Sequence, residues 1–169
     1  MLSLLFFLQG LLGGSINPGL VTTDNPVTVS NITFQYRLHS DSLEIQVSAP
    51  THGWVAVGFH ENAKLIGNDL LMFSVIDGMV IYQDQYIRGW NDHPEDTALG
   101  GENSISVVGH LEDETSTTVK FKIPISSGDS FDTIHQSNRD FYLLLAYSLE
   151  DDFNHHSIVR KQIPYRFTF

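Results

Sequence analysis

The sequence has no cysteine in its 169 residues. Disulfides, thiolate metal sites, iron–sulfur clusters and cysteine nucleophiles are therefore excluded together. Basic residues are scarce. The chain has 9 Lys and Arg against 20 Asp and Glu, a formal net charge of -11 and a pI near 4.9. Binding a phosphate backbone needs clustered Lys and Arg, so no nucleic-acid partner is expected. Docking on an anionic membrane by charge is disfavoured for the same reason. No stretch after the N-terminus is long and apolar enough for a membrane span, so the mature chain is expected to lack a transmembrane anchor. No helical period runs beyond two turns. There is no nucleophile elbow, phosphate-cradling glycine loop, zinc-protease helix or dinucleotide fingerprint. A glycosidase carboxylate pair stays open, but the acidic residues fall mostly in turns, where a solvated role is expected. No catalytic residue is assigned.

The chain has a hydrophobic content of 41%, which suits one globular domain with one core. Residues 1–15 form a short apolar run ending in small residues, without a preceding Lys or Arg. They read as a secretory signal peptide, which would make the protein secreted or periplasmic. The other reading is a segment that packs on the domain. Residues 16–27 are a lead-in, and residues 28–169 form the domain.

Within the domain, apolar and polar residues alternate in short runs separated by turn residues. The run Gly53-Trp54-Val55-Ala56-Val57-Gly58-Phe59 is nearly continuous and reads as a strand buried on both faces. Asp69 to Ile76 reads the same way, and Asp140 to Ser148 is the strongest apolar strand in the chain. Residues 28–38 and 43–48 alternate and form a hairpin across a polar turn. Asp77-Gly78 marks a second hairpin, and residues 88–101 read as a loop. Pro164 in the last run implies an edge strand or a bulge. Together these predict an all-β fold, an antiparallel β-sandwich of about nine to ten strands.

Of the 8 histidines, five (His39, His52, His60, His93 and His110) stand singly at strand ends or in loops and read as surface or turn residues. His155-His156 follows the strongest apolar run and precedes the last strand. A neutral imidazole there can bind a metal, most readily an iron in a cofactor; the other reading is a solvent-exposed pair. If the loops after the Trp54 strand and after residue 147 are spatial neighbours, they would meet at one end of the sandwich.

Three pieces of the chain carry a family resemblance. They are Gly53 to Phe59, then Leu65-Ile66-Gly67-Asn68-Asp69 with the hairpin after it, and Val119 to Ile125 with Gly128-Asp129, Phe141 to Tyr147 and His156-Ser157-Ile158-Val159-Arg160. In this order and spacing they resemble the DOMON domains. The resemblance implies a β-sandwich that in many members holds haem b through a Met after the Gly-Trp strand and a His before the last strand. His156 matches the histidine position, with His155 the alternative if the register slips by one. The methionine position is taken by Leu65, which cannot ligate iron. By the same resemblance Trp54, Leu65, Tyr147 and Arg160 line the cofactor, and Lys64 or His60 would supply a sixth ligand. Met72 and Met79 lie within or beside strands and are not expected to replace the methionine. The implied function is ligand binding, redox, sensing or haem carriage, beside a redox partner protein. The alternative is a carbohydrate-binding or protein-interaction module without haem.

Overall fold

The computed structural model describes residues 26–169, so the apolar N-terminal segment and nearly all of the lead-in lie outside the described residues. Two five-stranded antiparallel sheets face each other. One has the order β1-β2-β3-β8-β7 and the other β10-β9-β4-β5-β6. The strands are β1 (Val27–Val29), β2 (Ile32–Leu38), β3 (Ser42–Ala49), β4 (Val55–His60), β5 (Asp69–Ile76), β6 (Met79–Tyr86), β7 (Ser106–Glu112), β8 (Thr117–Pro124), β9 (Asp140–Tyr147) and β10 (Val159–Arg166). The predicted sandwich and its strand number are what the structure shows.

The strand boundaries follow local chemistry. The run expected over 28–38 is divided, because Ser30 and Asn31 take left-handed φ of 50° and 66° and turn β1 back onto β2. Asp77 and Gly78, with φ of 51° and 74°, make the tight turn between β5 and β6. Pro164 sits on β10, which pairs only with β9 and so is an edge strand, where a missing N–H is tolerated. The loop expected over 88–101 contains a single short helix, α1 (Asp96–Leu99).

The core lies between the sheets. Val55, Val57 and Phe59 of β4, Leu71, Phe73 and Val75 of β5, and Phe141, Leu143 and Leu145 of β9 point inward. They meet Phe34, Ile45, Val47, Phe121 and their neighbours from the first sheet. Phe73 and Phe121 touch across the interface with ring centroids 4.3 Å apart. Fully burying side chains of this size contributes about 1.5–3 kcal/mol each.

The intervening residues of the same three strands are also buried. Trp54, Ala56, Leu70, Met72, Leu144 and Ala146 form a second apolar cluster with Ile87 on the outer face of the second sheet. Strand alternation demands this, since residues at i and i+1 face opposite sides. Loops cover that face, and the closest approach is at Gly53. A Cβ there would lie 2.5 Å from the Glu150 backbone nitrogen and 2.5 Å from the Leu149 carbonyl carbon.

Two predictions follow from this packing. Gly53→Ala forces backbone against backbone, so chemical denaturation should show a loss of about 2–3 kcal/mol, the upper part of the overpacking range; an unchanged midpoint would refute the tight approach. The second concerns His135, which packs edge-on against Phe59 and Phe167 and is held neutral by burial, its pKa lowered to about 4. Between about pH 6.5 and pH 4 the unfolded chain takes up a proton that the folded chain refuses, so folding weakens as pH falls. By pH 4 the wild type should lose about 3 kcal/mol relative to His135→Phe, compared at each pH by urea unfolding. A constant difference between the two proteins would show that His135 is not buried neutral.

Candidate functional site

On the outer face of the second sheet is a cavity of about 240 Å³. Its floor is apolar: Ala56, Leu70, Met72, Leu144 and Ala146, with Trp54 and Ile87 beside them. Ala56 is the cross-strand partner of both Ala146 and Met72. The small side chains of Ala56 and Ala146 leave room above the floor between larger neighbours. The Trp54 side chain is 4% exposed and its indole nitrogen is buried without a hydrogen-bond partner. A buried donor left unpaired costs about 1–3 kcal/mol, so this position invites an acceptor.

Loops build the walls. One is the segment 148–158 between β9 and β10, which brings Phe153, Asn154, His155, His156 and Ser157 to the mouth. It is tied down along its length. Trp54 N donates to Glu150 O at 3.0 Å, Ser148 N to Trp54 O at 3.0 Å, and Ile158 N to Tyr147 O at 2.9 Å. Ser148 Oγ donates to His156 O at 3.1 Å, and Ser74 Oγ of β5 donates to the Asp151 carboxylate. His156 is thus held by its backbone, while its side chain stays at the exposed mouth.

The opposite wall is the loop between β4 and β5, with half-buried Leu65 lying on the outer cluster. Buried Asn68 shapes it, its Nδ2 donating to Lys64 O and Leu65 O at 2.6 Å each. Gly67, at φ 96°, donates to Ile87 O at 2.7 Å, and Ile87 donates to Asn68 O at 2.9 Å. The third wall is the segment after β6, which contributes Asn91 and His93. His93 Nδ1 lies 2.7 Å from Gln85 Oε1, a carbonyl oxygen that can only accept. In the tautomer whose Nδ1–H donates this bond, Nε2 is left for a ligand.

The structure brings together most of the residues singled out from the sequence: Trp54, Leu65, His155, His156 and Arg160 all line this cavity. It places the others elsewhere. Tyr147 pairs with Val55 and packs on the inner core, across the sheet from the slot. His60 lines a different groove beside Glu61 and Phe131, where its ring lies against Gly67. Lys64 is exposed and outside the cavity lining. The two loops do not meet at one end of the sandwich. β4 and β9 are antiparallel, so the loops following them leave from opposite ends and fold over the outer face from both sides. Met72 and His93, which sequence reasoning set aside, are lining residues. The alternation of β5 already put Met72 on the face opposite Phe73, so its signal was present; nothing in the sequence marks His93.

Comparison with known proteins agrees with this architecture. The cytochrome b domain of pyranose dehydrogenase from Coprinopsis cinerea superposes with a TM-score of 0.59 at 9% identity, covering 80% of this chain and 76% of that one. The cytochrome domain of Myriococcum thermophilum cellobiose dehydrogenase superposes with a TM-score of 0.59 at 12% identity, covering 86% and 79%. In sequence, MOXD1 homolog 2 of Drosophila melanogaster is 24% identical over 116 residues. That match covers 69% of this chain but only 15% of the relative's length. The family model for the DOMON domain matches residues 28–148, well over half of the chain, and the chain therefore belongs to the DOMON domain family.

Proposed function

We propose that the outer-face cavity binds haem b and that the domain serves as a secreted or periplasmic redox, sensing or haem-carrying unit. One observation carries this reading: a cavity with an apolar floor and histidines in its lining, walled by the loop bearing Leu65. The residues suit the group. Trp54, Ala56, Leu144, Ala146 and Met72 would bury a planar apolar ring, and that burial is the larger binding term. His156 would hold the iron, and Arg160 would pair with the acidic edge of the cofactor at the rim. Leu65 supplies no ligand bond, and Lys64 and His60 stand off the cavity. His93, with Nε2 free, is the side chain suited to the remaining position. Haem supplies one-electron chemistry when bound. Membership of the DOMON family and the fold shared with two cytochrome domains support the reading. The apolar segment at residues 1–15 supports export. No helix of the described residues is long and apolar enough to cross a membrane. A redox partner protein would approach at the mouth.

A second reading rests on Trp90, which is 74% exposed beside the lining residue Asn91. An exposed aromatic face beside Asn91, Asn154 and Arg160 also suits a carbohydrate.

Hemin titrated into the full chain should give a Soret band that saturates at one equivalent. His156→Ala should weaken uptake at least about 10-fold, the scale on which ligand support acts, and His155→Ala should not. His93→Ala should retain hemin but turn a low-spin ferric spectrum into a high-spin one. The absence of stoichiometric uptake sinks the haem reading, and thermal stabilisation by oligosaccharides in that case supports the second.

A further inference from the structure

The turn between β1 and β2 carries a group that neither the core nor the slot uses. Asn31-Ile32-Thr33 is the only Asn-X-Ser/Thr triplet in the 169 residues, and its middle residue is not proline. Such a triplet is the acceptor for N-linked glycosylation of exported chains. Three residues of this kind also arise by chance, so their placement in the fold decides what they can do. An asparagine packed in the core, or tied into a polar network, has no room for a large hydrophilic group.

The fold puts Asn31 at the tip of a hairpin. Ser30 and Asn31 are the two turn residues between Val29 and Ile32, which pair with each other. Asn31 is exposed, and its φ of 66° is a left-handed backbone that asparagine tolerates better than most residues. The next residue, Ile32, is 0% exposed and belongs to the inner core, which fixes the turn on the sandwich. Thr33 Oγ1 lies 3.1 Å from Thr28 Oγ1, whereas the Asn31 side chain takes part in no hydrogen bond among the described residues. A group attached at Asn31 Nδ2 therefore breaks no contact and buries no polar surface. The hairpin also lies at the border of the first sheet, because β1 is only three residues long and pairs with β2 alone. A hydrophilic chain at its tip would hinder another strand from adding to that edge. The slot opens on the outer face of the second sheet and stays clear of it.

We propose that Asn31 carries an N-linked glycan. The proposal rests on the export reading given above, in a secretory pathway that supplies an oligosaccharide linked to a lipid pyrophosphate. Asn31 Nδ2 attacks the anomeric carbon of that donor. A carbon–nitrogen bond forms, the bond from the anomeric carbon to the phosphate oxygen breaks, and the lipid pyrophosphate leaves with the bonding electrons. The amide gives up one proton to a base, and nothing is oxidised or reduced. Thr33 supplies the hydroxyl that the acceptor motif requires two residues on.

The test expresses the full chain, with its own residues 1–15, in insect cells. Medium and lysate are blotted before and after treatment with peptide N-glycosidase F. The chain should appear in the medium and drop by a single step in apparent mass on treatment. Mass spectrometry should then read position 31 as aspartate, the product of that enzyme. Asn31→Asp keeps a residue suited to the left-handed turn and should lose the step. Thr33→Ala should lose it too, and Thr33→Ser should keep it. A treated step on chain held in the lysate supports the site equally. Chain in the medium without a step overturns the glycan and leaves export standing. Chain confined to the lysate without a step overturns both.

Discussion

The central strands β4, β5 and β9 are apolar on both faces, and each face must be covered. Alternation sends Val57, Phe59, Phe73 and Leu145 to one side and Trp54, Ala56, Met72 and Ala146 to the other. The first sheet covers the inner side completely. No third sheet exists among the described residues to cover the outer side, so loops do it, and loops cover less efficiently than side chains interdigitating between sheets. The cavity is what remains. Its floor is rigid because it belongs to the central strands of a sheet, and its walls can vary because they are loops.

The loops are held by specific polar contacts rather than by extensive burial. Asn68 at 0% exposure spans two carbonyls, Gly53 lets the 148–158 segment lie directly on the sheet, and Ser74 reaches Asp151. Directly after Asn68, buried Asp69 accepts from Thr133 N at 2.9 Å and so ties the start of β5 to the segment before β9.

Much of the fold could be read from the chain because strand periodicity is local. The two-sided burial of β4 and β5, the apolar run of β9, the Asp77-Gly78 turn and the edge position of β10 each depend on residues within a few positions of one another. The division between β1 and β2 was missed because Ser30-Asn31 adopts left-handed geometry without a glycine to announce it. The site was partly legible, through motifs that place Trp54, Leu65, His156 and Arg160 around one slot. His93 was not, because nothing near it in sequence distinguishes a lining residue from a solvated turn residue.

By itself the sequence determined which residues alternate, where the turns fall, that no thiol chemistry is available, and that the chain resembles one family of β-sandwiches. Tertiary structure alone decided which side of the sheet each motif serves. Tyr147 and Ala146 are neighbours in the chain but face the core and the slot respectively. It also decided that Asp69, Asp84 and Asp132, far apart in the chain, come together, the first two out of water. The physical reason is range: backbone preferences act over a few residues, whereas desolvation and charge repulsion depend on what lies nearby in space, and antiparallel pairing of distant strands sets that.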